Sequence, residues 1–278
     1  NRKRDYKINM KILILGDVFG PPGMKAIKEK LPGIIKKKKI DFVVINGENA
    51  GDGGVGITKK NIQDFFEAEA DVITSGNHMW DEKEAVEFIA SEERLLRPEN
   101  LTKGSPGKGF GIFNSKNNKK VAVVNFMGNI FMKKCDDAFE AATKFINNIK
   151  LKKDADFIVV DMHGEITSEK MAMGYLFDGK ATMVVGTHTH VPTSDYRIME
   201  KGTAYQTDLG MCGDYKSVIG MDRDNSLKKF LKDSSAKRHY PATGEATISG
   251  LAVSADDKTG LAKKVEPIIL GGSLEERI

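Results

Sequence analysis

Cysteine is nearly absent from this 278-residue sequence: Cys135 and Cys212 stand 77 residues apart and form no C-x-x-C pair. Disulfides therefore do not hold the chain, a reducing cytoplasm fits best, and both thiols read as inert. No apolar run approaches the roughly 20 residues needed to span a bilayer. The opening Asn1-Arg2-Lys3-Arg4-Asp5 leads into no apolar signal-type stretch, so a protein neither exported nor membrane-anchored is expected. Charge of one sign is also lacking, since the net charge of +4 demands neither a nucleic-acid nor a membrane partner, although it allows an anionic substrate. Repeats, low-complexity tracts and Pro/Gly/Ser-rich linkers do not occur, which points to one domain over residues 10–278 preceded by an extension or cloning remnant at 1–9. At 40% hydrophobic and 29% charged residues the composition is that of a globular domain with a sizeable core.

Short β-branched runs alternate with amphipathic stretches through the first two hundred residues, the pattern of an α/β fold. Strands are expected at Ile12–Leu15, Phe42–Ile45, Val72–Thr74, Phe157–Val160 and Met183–Val185, with helices near 24–39, 136–150, 169–177 and 225–232. Thr58 is placed to cap a helix carrying Ile62, Phe65 and Phe66, and Asp81 with Glu84 forms a candidate capping box for another. Runs 110–113 and 121–124 flank a polar turn and read as a hairpin, as does the segment around Asp256–Gly260. About ten strands without a linker suggest two mixed sheets packed face to face with helices outside, a four-layer α-β-β-α sandwich.

Five of these strands end alike, in an apolar run followed by residues able to bind a metal. They are Gly16-Asp17, Gly47-Glu48-Asn49, Gly76-Asn77-His78, Asp161-Met162-His163 and Gly186-Thr187-His188-Thr189-His190. Ligands of open α/β sheets gather at the carboxyl ends of strands, so these side chains are expected on one rim. Four of the five histidines in the chain lie there, and only His239 does not. On an extended segment His188 and His190 point to one side, a moderately specific metal signal. Imidazole, amide oxygen and carboxylate together suit manganese, iron or zinc better than magnesium or calcium. So many ligands exceed what one four-coordinate ion can use, and two ions roughly 3.5 to 4 Å apart are the economical reading. Against the two negative charges of Asp17 and Glu48, two divalent cations leave a positive pocket that attracts a phosphate ester and lowers the pKa of bound water.

The motifs Gly16-Asp17-Val18-Phe19-Gly20, Asn46-Gly47-Glu48-Asn49-Ala50-Gly51, Ser75-Gly76-Asn77-His78-Met79-Trp80, Asp161-Met162-His163-Gly164-Glu165 and Gly186-Thr187-His188-Thr189-His190-Val191 stand in order along the chain. Together they resemble the calcineurin-like metallophosphoesterases, in particular their YmdB-type cyclic-nucleotide phosphodiesterase branch. Phe19 stands where the wider superfamily has a histidine, and Glu48-Asn49 where it has an aspartate; both departures match the narrower branch. The resemblance implies that Asp17, Glu48, Asn49 and His190 hold one metal and that Glu48, Asn77, His163 and His188 hold the other, with Glu48 bridging. It implies two divalent transition-metal ions, iron or manganese first and zinc next, and a metal-bridging hydroxide that attacks phosphorus. His78 would serve the departing ribose oxygen, with Asp81 the candidate for orienting it. The implied substrates are 2′,3′-cyclic and also 3′,5′-cyclic nucleotides or other small phosphodiesters.

Blander readings stand beside these. Taken singly, Asp17 and Asn77 are loop or cap residues and His163 a core histidine. Glu165 reads as surface first, Gly51–Gly56 as a turn or lid, and Trp80 as packing or base stacking with equal weight. Lys36–Lys39 reads as a solvated helix end, with RNA contact the lesser alternative. Residues 203–213 shape the pocket, and His239 belongs to the surface. The rival functions are a phosphomonoesterase or nucleotidase on the same metals, and a metal-stabilised regulatory or RNA-binding scaffold; a homo-oligomer is compatible with either.

Overall fold

The computed structural model describes residues 9–278. The expected extension at 1–9 lies outside the described residues except for Asn9, which opens the first strand and pairs with Asp256. In chain order the elements are β1 (Asn9–Leu15), β2 (Asp17–Val18), α1 (Gly20–Lys38), β3 (Phe42–Asn46), α2 (Lys59–Glu67), β4 (Val72–Thr74), α3 (Ala85–Phe88), β5 (Phe110–Asn114) and β6 (Lys120–Met127). There follow α4 (Ala138–Asn148), β7 (Phe157–His163), α5 (Thr167–Phe177), β8 (Met183–Thr187), β9 (Arg197–Ile198), β10 (Ala204–Gln206), β11 (Met211–Cys212), α6 (Arg223–Phe230), β12 (Ile248–Asp256) and β13 (Ala262–Leu270). The expected hairpins form as β5–β6 and β12–β13. The strands outnumber the expected ten because β2, β9 and β11 have only two residues each, too short to leave a periodicity in the sequence.

The fold is mixed α/β. One sheet has five strands in the order β13-β12-β1-β3-β4, and the other has six in the order β5-β6-β7-β8-β10-β9. β1, β3 and β4 run parallel, as do β6, β7 and β8. Their near-continuous apolar runs follow from burial on both faces. Because side chains alternate along a strand, Ile12 and Ile14 of β1 enter one hydrophobic cluster with Val44, Val123, Val159 and Val185, drawn from both sheets. Leu13 and Leu15 instead join Ile27, Leu31, Ile62 and Phe65 of α1 and α2. A third cluster sets Ala122, Val160 and Val184 against Phe145 of α4 and Met173 and Phe177 of α5.

Local chemistry explains the helix boundaries. α1 begins four residues before the expected Met24 because Pro21 and Pro22 fill its first positions, where a missing N–H does no harm. Its last turn carries Lys36, Lys37 and Lys38 against the helix dipole, and Lys39 closes it with a φ of 57°. Thr58 caps α2 in a reciprocal capping box with Asn61. The capping box expected at Asp81 does not form. Asp81 is committed to His78 and Lys133, Glu84 accepts from the Lys59 amide instead, and the helix that follows is the single turn α3.

Candidate metal centre

Parallel pairing places the carboxyl ends of β1, β3 and β4 along one edge, and those of β7 and β8 along the matching edge of the other sheet. The loops leaving those ends meet. Glu48 Oε1 lies 3.0 Å from His163 Nε2. The same nitrogen is 2.9 Å from Asn77 Oδ1 and 3.1 Å from His188 Nδ1. On the other side of Glu48, the Asn49 side-chain nitrogen is 3.2 Å from Glu48 Oε1 and 3.1 Å from His190 Nε2, which is itself 3.8 Å from Asp17 Oδ1. All seven candidate ligands are thus contiguous, and Asp17, Glu48, Asn49, His163 and His190 are buried.

The donor set fits cations. Asp17 Oδ1 and Asn49 Oδ1 are buried without any hydrogen-bond partner, which is costly unless something positive satisfies them. Glu48, His163 and His188 offer ligand atoms that all lie within 4.8 Å of one another. In the protein alone the cluster draws positive charge from a proton. Burial pushes the His163 imidazole down, but Glu48, Asp17 and Asp161 outweigh it and hold its pKa up at about 9. Burial raises the Glu48 carboxyl, and His163 more than reverses this, to about 2. Burial lifts Asp17 to about 6, while burial and the neighbouring His163 drive His188 down to about 3.

Each imidazole is fixed by its other nitrogen. Thr187 Oγ1 donates to Asp161 Oδ1 at 2.7 Å, so it accepts from His163 Nδ1 at 2.9 Å and leaves Nε2 to face the centre. Asp161 Oδ2 is held in turn by Thr74 and the Asn46 amide. His190 Nδ1 donates to the Ile219 carbonyl at 2.7 Å, and His188 Nε2 meets Glu165 Oε2 at 3.2 Å. His188 and His190 have φ values of 104° and 67°, a conformation that non-glycine residues hold only when their surroundings impose it. The constraints are visible: Asp17 accepts from the His188 amide, and Asp208 accepts from the Thr189 amide at 3.1 Å. Asp208 also takes the Gly210 amide and forms a buried ion pair of 2.7 Å with Lys170.

Gly76 shows how tightly the centre is drawn, for a Cβ there would overlap the His163 ring and the Glu48 carboxylate. Gly76→Ala is therefore expected to fold, because the clash is confined to the ligand cluster, but to bind metal at least about tenfold more weakly. Metal analysis and thermal melting of the same sample check this.

His78 stands at the cleft, its Nδ1 2.6 Å from Asp81 Oδ2, and Lys133 takes the other Asp81 oxygen at 3.1 Å. Burial raises the Asp81 carboxyl, but its bonds to His78 and Lys133 bring it below the usual carboxylate range. The cleft has a volume of about 270 Å³, with Phe19, Ile219 and Met221 among its apolar walls and Glu48, His78, His188 and His190 among its polar ones. Phe19 meets His190 edge-on at 5.3 Å.

Residues 13–268 match the YmdB-like protein family. The chain belongs to that family. This YmdB-like chain is 44% identical over 261 residues to the 2′,3′-cyclic-nucleotide 2′-phosphodiesterase of Bacillus subtilis (strain 168), covering 94% of this chain and 97% of the relative. Among solved structures it resembles a hypothetical protein from Thermus thermophilus, with a TM-score of 0.85, 38% identity, and 94% and 99% of the two chains covered. A novel phosphatase from Mycoplasma pneumoniae gives a TM-score of 0.86 at 34% identity, covering 94% and 93%.

Neighbours of the YmdB-like centre stand as the sequence reading allowed. Glu165 is exposed, as expected, and its carboxylate also reaches His188, while Trp80 takes the packing alternative, against the first hydrophobic cluster. In the Gly51–Gly56 turn, Gly51 donates to the Gly56 carbonyl, and Gly54 and Val55 line the cleft. His239 is exposed, and Cys135 and Cys212 are free. The supporting roles of Thr187, Lys170 and Asp208 were not assigned from the sequence. Asp208 carried a signal there, as the lone carboxylate of the 203–213 stretch read as shaping the pocket.

Proposed function

We propose that this YmdB-like chain is a phosphoric diester hydrolase with a dinuclear metal centre, acting on 2′,3′-cyclic nucleotides and, on the same site, 3′,5′-cyclic ones. The observation that carries the reading is Glu48, whose carboxylate lies between the His163–His188–Asn77 group and the Asn49–His190–Asp17 group. The first group with Glu48 would hold one cation and the second, sharing Glu48, the other. Bound there, iron or manganese ions, with zinc the next choice, would supply Lewis-acid stabilisation of the phosphoryl oxygens and acidify coordinated water.

The chain's own residues do the rest. His190 and His163 keep one ring nitrogen toward the centre because Ile219 and Thr187 hold the other. Asp81 holds His78 at Nδ1, which leaves Nε2 to pass a proton to the departing ribose oxygen. Opening the cyclic ester then yields a nucleoside monophosphate. Further parts of the same reading are a four-layer α-β-β-α arrangement, supported by the three separate hydrophobic clusters, and a single domain over residues 10–278. Two free cysteines agree with a reducing cytoplasm. Among the described residues no helix is long and apolar enough to cross a membrane.

The test is His78→Ala, with metal content and hydrolysis of 2′,3′-cyclic AMP measured together. Metal is expected to stay near two equivalents, and kcat to fall by about 10² to 10⁴, the range for one general acid. An unchanged rate would remove His78 from the chemistry and favour a metal-stabilised scaffold. The likeness to a phosphatase from Mycoplasma pneumoniae favours a second reading, a phosphomonoesterase. Faster turnover of p-nitrophenyl phosphate than of its bis ester would support it.

A further inference from the structure

The loop after β6 carries an aromatic residue that packing does not explain. Phe131 is 85% exposed, and Ile130 beside it is 46% exposed. Phe131 also has a φ of 60°, in the left-handed region that disfavours a bulky side chain. An exposed ring on a strained backbone is doubly unfavourable in the free protein. Yet the loop is firmly held. The Gly128 amide donates to the carbonyl of His163 at 2.9 Å, Glu169 accepts from the Asn129 and Ile130 amides, and the Asn129 side chain bonds Ala138 and Asp136. Downstream, Lys133 reaches Asp81, the partner of His78.

Phe131 is thus three residues from an anchor on the metal-ligand strand and two from an anchor on the His78 side. At 3.3 to 3.6 Å per residue its Cα stands within about 11 Å of the Gly128 anchor, which is bonded to the backbone of the candidate ligand His163. The geometry points to Phe131 as the platform on which the base of the cyclic nucleotide stacks while its phosphate lies on the metal centre. This rests on the phosphodiesterase reading and adds to it the part of the substrate that the metal site cannot distinguish. Every base has a π face, so the platform selects for a base without selecting which one.

The experiment compares 2′,3′-cyclic AMP with glycerol 1,2-cyclic phosphate, which has a strained cyclic ester and no base, on the wild-type protein, Phe131→Ala and Phe131→Trp. In Phe131→Ala, KM for the nucleotide is expected to rise by about 5- to 150-fold, the span of one base–aromatic stack. The ratio of kcat/KM between the two substrates should fall by the same factor, and Phe131→Trp should restore it. An equal effect on both substrates, or none, overturns the platform while the phosphodiesterase reading stands. A drop in the native mass of Phe131→Ala on gel filtration, with the ratio unchanged, also overturns it and assigns the ring to contact with a second copy. Wild-type protein that cleaves neither substrate removes both readings.

Discussion

Glu48→Gln protein, purified without chelator, is expected to lose the bound transition metal and to hydrolyse 2′,3′-cyclic AMP more than about a hundredfold more slowly than the wild type. Removing a residue that only supports a ligand already costs 10- to 100-fold in metal affinity, and Glu48 touches both ligand groups directly. The substitution keeps the volume and the acceptor for the His78 amide but removes the negative charge that faces His163 Nε2. A cation would then meet Asp17 as the one remaining carboxylate among the seven candidate ligands. The measurement is elemental analysis paired with turnover. Wild-type stoichiometry and rate in Glu48→Gln would mean that the carboxylate binds no metal.

Lys170→Met is expected to be the most destabilising substitution outside the ligands. The Lys170 ammonium and the Asp208 carboxylate are each 1% exposed and 2.7 Å apart. Removing one partner of such a pair strands the other charge in the interior, at a cost of about 3 to 5 kcal/mol. For a domain of this size that corresponds to a fall in Tm of roughly 6 to 20 °C. The loss should also reach the metal centre, because Asp208 fixes the Thr189 amide between His188 and His190. Lys170→Met/Asp208→Asn, which removes both charges and keeps an acceptor for one of the Thr189 and Gly210 amides, which bond different Asp208 oxygens, should regain part of the stability. Thermal melting of the two variants with and without added Mn²⁺ checks both parts. Equal Tm values for wild type and Lys170→Met would show that the pair contributes nothing.

The strand ends were legible because two sequence signals coincide there. A run of four apolar residues marks a strand buried on both faces, and the polar residue that breaks the run must stand where the strand leaves the sheet. Asp17, Glu48, Asn49, Asn77, His78, His163, His188 and His190 were all picked out in that way, and the structure brings them to one rim. Asp81 was read in two ways, as a helix cap and as the residue that orients His78. The structure has the second, and adds Lys133, a partner 52 residues away that nothing local shows.

By itself, then, the sequence determined the alternation of strands and helices, the chemical types of the donors and the positions at which each leaves its strand, since those depend on neighbours within a few residues. Tertiary structure alone decided which donors meet. Glu48 and His163 are 115 residues apart in sequence and 3.0 Å apart in space, a contact set by the packing of one sheet against the other. The Lys170–Asp208 pair, the tautomers fixed by Thr187 and Ile219, and the left-handed backbone at His188 and His190 arise likewise from contacts across the fold. Local pattern carries no record of them, because a side chain's partner across a core depends on the register of strands whose pairing is itself a long-range choice.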